Sequence, residues 1–224
     1  MRVEGFASLA RGMGEADDER ARMQLAADAA VQLVDRCKHA GVTLNRGGEC
    51  LTLAASDDVV RAVNVLQNEM GEGPCHDPHR SEEVLVSNDV TRDPRWERWG
   101  TQINRQLGAS SLLSVMIFSG EQSYGTVSLY APEVHAFGSD DLAVAQALAA
   151  HLAVALSASR EIAGLGIALH SRTVIGQAVG IVMERLGIDA DQSLGYLKRV
   201  SSHRNTRLAQ VAADLVQSRE LPEG

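Results

Sequence analysis

SRTVIGQAVGIVMERLGIDADQSLGYLKRVSSHRNTRLAQVAADLV, residues 171–216, reads as three helical patterns joined by very short turns. The first carries Val174, Ile175, Ala178, Ile181, Val182 and Leu186 at helical spacing and stops at Gly187, a residue that tolerates the left-handed conformation of a helix end. Asp189, with Gln192 three positions on, makes a loose capping box for the second, whose expected buried stripe is Leu194, Leu197 and Val200. Asn205 is expected to cap the third. There Leu208, Val211, Ala212, Leu215 and Val216 follow an i, i+3, i+4, i+7, i+8 pattern, so one face is apolar and must be covered. Three short amphipathic helices of this kind predict a small bundle.

Lys198, Arg199, Ser201, Ser202, His203, Arg204, Asn205 and Arg207 gather around the second turn. Backbone N–H groups at a helix start, beside several cations, suit a phosphate backbone. The same run also suits the solvated face of an ordinary bundle. The segment resembles the ANTAR domain, the RNA-binding antitermination module of bacterial regulators. The resemblance rests on Ile175-Gly176-Gln177-Ala178, Gly180-Ile181-Val182-Met183-Glu184-Arg185, the region of Leu197 with Ser201-Ser202, Asn205, Leu208, and Val211-Ala212-Ala213. Val179 departs from it, standing where many relatives carry a lysine, which removes one cationic contact. The resemblance implies RNA contacts from Arg172, Gln177, Arg185, Lys198, Arg199, Ser201, Ser202, Arg204, Asn205 and Arg207. It further implies that the target is a pair of small hairpins in a leader transcript, whose capture keeps a terminator from forming. Two helices across a tight turn also fit a DNA-binding regulator, and a module that binds only protein is a third reading.

The chain has 224 residues and a formal charge of −8, which argues against a protein that coats nucleic acid along its whole surface. From Ser171 onward seven Lys or Arg face six Asp or Glu, so the acidity belongs to the front. A small local contact with nucleic acid is the reading this supports. Cys37, Cys50 and Cys75 are too few and too unpatterned for a disulfide scaffold or a zinc site. No signal peptide and no stretch approaching a membrane span is read, so a cytoplasmic protein without membrane partners is expected.

At the front, residues 1–19 read as an extension. Leu25, Ala26, Ala29, Ala30, Leu33 and Val34 predict a helix, and Val42-Thr43-Leu44 and Leu51–Ala54 predict a hairpin over Arg46–Glu49. Ser56 is expected to cap a helix that runs to about Met70. Residues 71–100 are irregular, with Gly71, Gly73, Pro74, Pro78 and Pro94, a short strand at Val84–Val86, and both tryptophans, Trp96 and Trp99. A helix near Thr101–Leu107, a second hairpin from Leu112–Phe118 and Tyr124–Tyr130, and a long alanine-rich helix opened by Ser139 follow. Hairpins flanked by helices predict an α+β fold with an antiparallel sheet.

This region resembles a GAF domain, the sensory fold of many bacterial regulators. The matching residues are His39–Thr43, Leu53–Asp57, Gly71-Glu72-Gly73-Pro74-Cys75, Asp93-Pro94-Arg95-Trp96, and Gly125–Tyr130 with Phe137. The resemblance implies a GAF-like sensory domain over residues 20–158, an ANTAR-like one over 159–220, and a signal, small molecule or protein, read by the first. Candidate pocket residues are Cys75, His76, Trp96 and Trp99, the tryptophans serving as lid or core. Cys75, His76, Asp77 and His79 cluster in sequence, yet four neighbours in one turn rarely face one ion, so no metal or cofactor is expected. Nor is enzymatic activity, since no catalytic constellation is visible.

No proline lies between Pro132 and Pro222, and the helical pattern runs from about Ser139 to Leu186, roughly 70 Å if continuous. Leu142, Ala145, Ala149, Leu152 and Leu156 form a modest heptad. Up to about Ala150 the helix is expected to pack on its own sheet. Beyond that point a parallel homodimer is expected.

Overall fold

The computed structural model describes residues 2–77, 83–120 and 122–221, with backbone only at 2, 3, 122 and 163. The chain divides into two compact units, Met1–Ser159 and Arg160–Gly224.

In the first unit, α1 (Arg2–Glu15) and α2 (Glu19–Leu33) precede a hairpin of β1 (His39–Arg46) and β2 (Glu49–Ala55). Then come α3 (Asp58–Met70), a 3-10 turn at Pro74–His76, β3 (Val84–Ser87), α4 (Glu97–Leu107), β4 (Ser111–Ser119) and β5 (Gln122–Ala131), followed by the start of α5 (Ser139–Leu186). Among the described residues the strands form one antiparallel sheet in the order β2-β1-β5-β4-β3.

Successive strand side chains point to opposite faces, and β4 shows what that does here. Leu113, Val115 and Ile117 enter one core, with Val127 and Leu129 of β5, against α1, α2 and α5. Leu112 and Tyr130 enter the other, with Val63 of α3 and Trp99 and Ile103 of α4. On the first side Leu148, Leu152 and Leu156 of α5 are each 0% exposed, and each such burial contributes about 1.5–3 kcal/mol. The second half of the expected heptad is therefore core: Leu152 and Leu156 meet their own sheet and helices and are not open to a partner. Residues 2–15 form a helix that places Leu9 and Met13 in this core.

The α3 cap is Asp57, whose side chain accepts from Val59 N, and not Ser56. Ser56 Oγ instead accepts from Ala40 N at 3.0 Å and donates to Asp57, tying the helix start to β1.

In the second unit the rest of α5 packs with α6 (Ala190–His203) and α7 (Leu208–Ser218) around Ala178, Val182, Leu197, Val200, Val211, Ala212 and Leu215. Gly187 ends α5 at φ +66°, its N–H donating to Met183 O at 2.9 Å. Asp189 Oδ1 accepts from Gln192 N at 2.8 Å and caps α6. The sequence stripe needs three corrections. Ser193 is fully buried whereas Leu194 is half-buried, because the face toward the core is Ser193, Leu197 and Val200. Leu186 is 43% exposed, since it lies at the end of α5 beyond the bundle core. Asn205, at φ +49°, terminates α6; the cap position of α7 is Arg207, which makes no side-chain capping bond.

An 18-residue window of α5 has a mean hydropathy of 1.6, so this helix is long and apolar enough to cross a membrane by length and composition alone, against the expectation of no such stretch. Leu148, Leu152 and Leu156 nevertheless face protein, as in the core helix of a water-soluble domain.

Candidate functional site

On the α3 and α4 side the sheet changes character along its strands. Leu112 and Tyr130 are apolar, but the next residues on that face are Ser114, Ser128, Thr126 and Thr43. Ser114 Oγ and Ser128 Oγ lie 3.0 Å apart, and Thr43 Oγ1 and Thr126 Oγ1 lie 2.9 Å apart. A core would not be built of hydroxyls; a cavity wall can be. The cavity has a volume of about 270 Å³ and is lined by Thr43, Asn45, Ser114 and Thr126, with Leu85 and Met116 supplying apolar surface and Pro74 and Cys75 closing one side. Among the described residues that line it, none carries a charged side chain.

The Gly71–Cys75 run builds that side. Gly73 has φ +112°, and a Cβ there would stand 2.6 Å from Gln67 Oε1, so only glycine fits. Glu72 reaches away from the cavity: its carboxylate accepts from Arg98 N and Trp99 N, both at 3.0 Å, and pairs with Arg98 Nε at 2.6 Å, capping α4. Partial burial opposes its charge, but the Arg98 guanidinium and the two N–H groups hold its carboxyl below the usual range. Buried Gln67 accepts from Cys75 N at 2.9 Å, and Asn45 Nδ2 donates to Cys75 O at 2.8 Å. Cys50 Sγ lies 2.6 Å from Cys75 Sγ.

Of the candidate pocket residues, the cavity takes Cys75 alone. His76 is partly exposed, with Nε2 3.3 Å from Asn68 Oδ1. Trp96 and Trp99 are both core, meeting edge to face at 5.7 Å, and Trp99 Nε1 donates to Val63 O. His79 lies outside the described residues. What the sequence reading missed, Thr43, Ser114, Thr126 and Ser128, had a signal: single hydroxyl residues within otherwise apolar strands, two of them, Thr126 and Ser128, at alternate positions of β5.

In the second unit the α6–α7 turn is held from within. Ser201 Oγ donates to Thr206 O at 2.6 Å, Thr206 N donates to Ser201 O at 3.0 Å, and Thr206 Oγ1 donates to Arg204 O at 3.1 Å. Ser201 thus shapes the turn with the proton it would need for a ligand. Lys198, Arg199, Ser202, Arg204, Asn205 and Arg207 are all exposed around it. Beside them Tyr196, Arg199, Val200 and His203 line a shallow groove, and Tyr196 was not among the residues singled out in the sequence. Arg172, Gln177 and Arg185 are exposed on α5, Arg185 in an ion pair with Glu184 at 3.3 Å.

Residues 16–157 match the family model of the GAF domain, and residues 163–216 match that of the ANTAR domain. The chain belongs to the GAF family and is a GAF–ANTAR protein. The GAF–ANTAR pairing is a sensory domain followed by the domain of RNA-binding antitermination regulators, the architecture of a regulator rather than an enzyme. The GAF domain from a phosphoenolpyruvate-protein phosphotransferase of Coxiella burnetii is similar at 17% identity and a TM-score of 0.56, over 73% of this chain and 96% of that one. Free methionine-R-sulfoxide reductase from Neisseria meningitidis, solved with its substrate, is similar at 16% identity and 0.54, over 72% and 91%. A bacteriophytochrome from R. palustris is similar at 10% identity and 0.56, over 88% and 46%. At these identities the likeness is one of fold. No curated protein matches the GAF–ANTAR chain.

Proposed function

We propose that this GAF–ANTAR protein captures paired RNA hairpins in leader transcripts, as a parallel homodimer under the control of a small neutral ligand in the GAF cavity. The observation that carries the RNA reading is the α6–α7 turn, where exposed Lys198, Arg199, Arg204, Asn205 and Arg207 surround a backbone fixed by Ser201 and Thr206. Arginine and asparagine at such a turn can stack on or hydrogen-bond splayed loop bases, and Tyr196 and His203 offer further ring surface in the adjoining groove. Gln177 and Arg185 are secondary candidates on α5.

The dimer reading rests on the part of α5 that the second unit leaves open. Ile162, Leu165 and Leu169 are 71%, 60% and 67% exposed, and Met183 and Leu186 are also exposed. With Gly176 and Val179 they occupy the a and d positions of one heptad frame, interrupted by Arg172. In this frame Arg172, exposed on α5, falls at a seam position, which competes with its reading as an RNA contact. A self-complementary stripe of this kind is best covered by a second copy of itself. Two turns on one dimer suit two hairpins, and a ligand that changes how the helices pair changes whether both turns engage. The cavity, just below the about 300–1,000 Å³ range of ligand sites and with hydroxyl and amide groups but no charge among its described lining residues, suits a small uncharged molecule that forms hydrogen bonds. Capture of nascent transcripts places this work in the cytoplasm.

A gel-shift titration at physiological salt tests the reading, with paired-hairpin leader RNA against duplex DNA of equal length. Selective RNA binding is expected, and Arg204→Ala with Arg207→Ala is expected to abolish it while sedimentation still shows a dimer. Binding to DNA, or to neither, overturns the RNA reading; a monomer at micromolar concentration overturns the dimer.

A further inference from the structure

Cys50 and Cys75 are 25 residues apart in sequence, one on β2 and the other in the 3-10 turn, yet their sulfurs lie 2.6 Å apart. Both side chains are buried, at 4% and 7% exposure, and Cys75 stands in the cavity wall. We propose that Cys50 and Cys75 are a dithiol that a hydroperoxide entering the cavity oxidises to an intramolecular disulfide, independently of how the second unit binds RNA.

Three features of the surroundings carry this. The two sulfurs are already in contact, so closing the bond requires no chain rearrangement of the kind that forbids most cysteine pairs. The cavity has room for a small oxidant, and its described lining beside Cys75 is hydroxyl, amide and apolar. Polar groups on every side fix the pair: Gln67 holds Cys75 N through Oε1 and places Nε2 3.6 Å from Cys50 Sγ, Asn68 bonds both the N–H and the carbonyl of Cys50, and Thr43 Oγ1 lies 3.8 Å from Cys75 Sγ. Cys50 donates toward the Cys75 sulfur, and that contact together with burial pushes the Cys50 thiol far up, so Cys50 keeps its proton. Cys75, which of the two stands in the cavity wall, is the sulfur that meets the oxidant.

The chemistry balances in two steps. Cys75 sulfur attacks one peroxide oxygen, the O–O bond breaks, the thiol proton goes to the departing alkoxide, and an alcohol (water, from hydrogen peroxide) leaves Cys75 as a sulfenic acid. Cys50 sulfur then attacks Cys75 sulfur, the S–O bond breaks, and the hydroxyl departs as water with the Cys50 proton. Two thiols are oxidised by two electrons and one peroxide is reduced. The product ties β2 to the cavity wall.

Cys37 is the internal control. It is buried, its thiol donates to His39 O, and burial pushes it up to about 12. The full chain is treated with hydrogen peroxide in molar excess, denatured, alkylated and analysed by mass spectrometry without reductant. The expected result is that one of the three cysteines, Cys37, takes the alkyl group. A linked pair of tryptic peptides ending at Arg61 and Arg80 should appear and revert with dithiothreitol. Cys50→Ser is expected to leave Cys75 as a sulfenic acid that dimedone traps, and Cys75→Ser to leave Cys50 unmodified. Three alkylated cysteines, a linkage through Cys37, a linkage between chains, or sulfinic acid at Cys75 without a disulfide would each overturn the proposal. Because the readout is covalent, these results stand apart from any outcome of the RNA titration.

Discussion

Between Val144 and Leu156, α5 buries each of its leucines; between Ile162 and Leu169 the same helix leaves both of its leucines about two-thirds exposed. The two stretches are alike in composition, both rich in alanine and leucine, and they belong to one unbroken helix. What differs is the neighbour. The first stretch has β4, β5, α1 and α2 against it, whereas the second lies just past Ser159, where the first unit ends. Hydropathy marks a residue as wanting cover, and topology decides whether its own chain supplies it. The uncovered stretch is where a second molecule gains most, at about 25 cal/mol per Å² of apolar surface removed from water.

The sharpest way to separate the two stretches is to truncate one leucine in each. Leu152→Ala is expected to cost about 2–5 kcal/mol of stability, read as a fall in the denaturant midpoint of the first unit. A loss under 1 kcal/mol would mean that this half of the helix is held less tightly than its burial implies. A smaller effect tests whether the covered stretch depends on the sheet it covers. Asp57→Ala removes the α3 cap and the 2.7 Å partner of His39 and is expected to cost about 1 kcal/mol at pH 7. Burial opposes the Asp57 charge, but His39, Ser56 and Val59 N together hold its carboxyl below the ordinary value. A depressed carboxyl stabilises above its unfolded value of about 4 and loses that contribution as pH falls through the folded one. The gap between parent and variant should therefore narrow below about pH 4 in urea titrations; a gap that widens would show the sign to be wrong. Smallest on the fold is Leu165→Ala, expected within about 0.5 kcal/mol of the parent in the unfolding of isolated molecules. Leu165→Glu with Leu169→Glu, equally neutral to the fold, should shift sedimentation from dimer to monomer. If both leave the dimer intact, the exposed stretch is not the seam.

Much of this was legible in sequence because local chemistry decided it. Gly187 and Asp189 set the α5–α6 turn by backbone conformation and capping, and two hairpins flanked by helices announced the antiparallel sheet. Reading failed where two neighbours offered the same chemistry. Ser56 and Asp57 can both cap a helix, and only the tertiary bond from Ala40 N to Ser56 Oγ leaves the task to Asp57. Asn205 was read for its side chain, whereas its backbone, at φ +49°, ends one helix before the next begins. Cys50 and Cys75 meet through the β1–β2 hairpin and the turn after α3, a closeness that no spacing rule encodes. The tryptophans, read as lid or core, are core, packed with Ile103 and Leu112.

Gly164, Gly166, Gly176 and Gly180 all sit within α5, and an added Cβ would meet nothing within 4 Å at any of them. Each costs a helix interior about 0.5–1 kcal/mol relative to alanine, and in this region no sheet repays it. The exposed half of α5 is therefore the stretch where the helix is cheapest to fray. Of the four, Gly164 and Gly166 lie among the exposed Ile162, Leu165 and Leu169, so fraying there uncovers no buried side chain, whereas Gly176 and Gly180 flank Ala178 and Val182 of the second core.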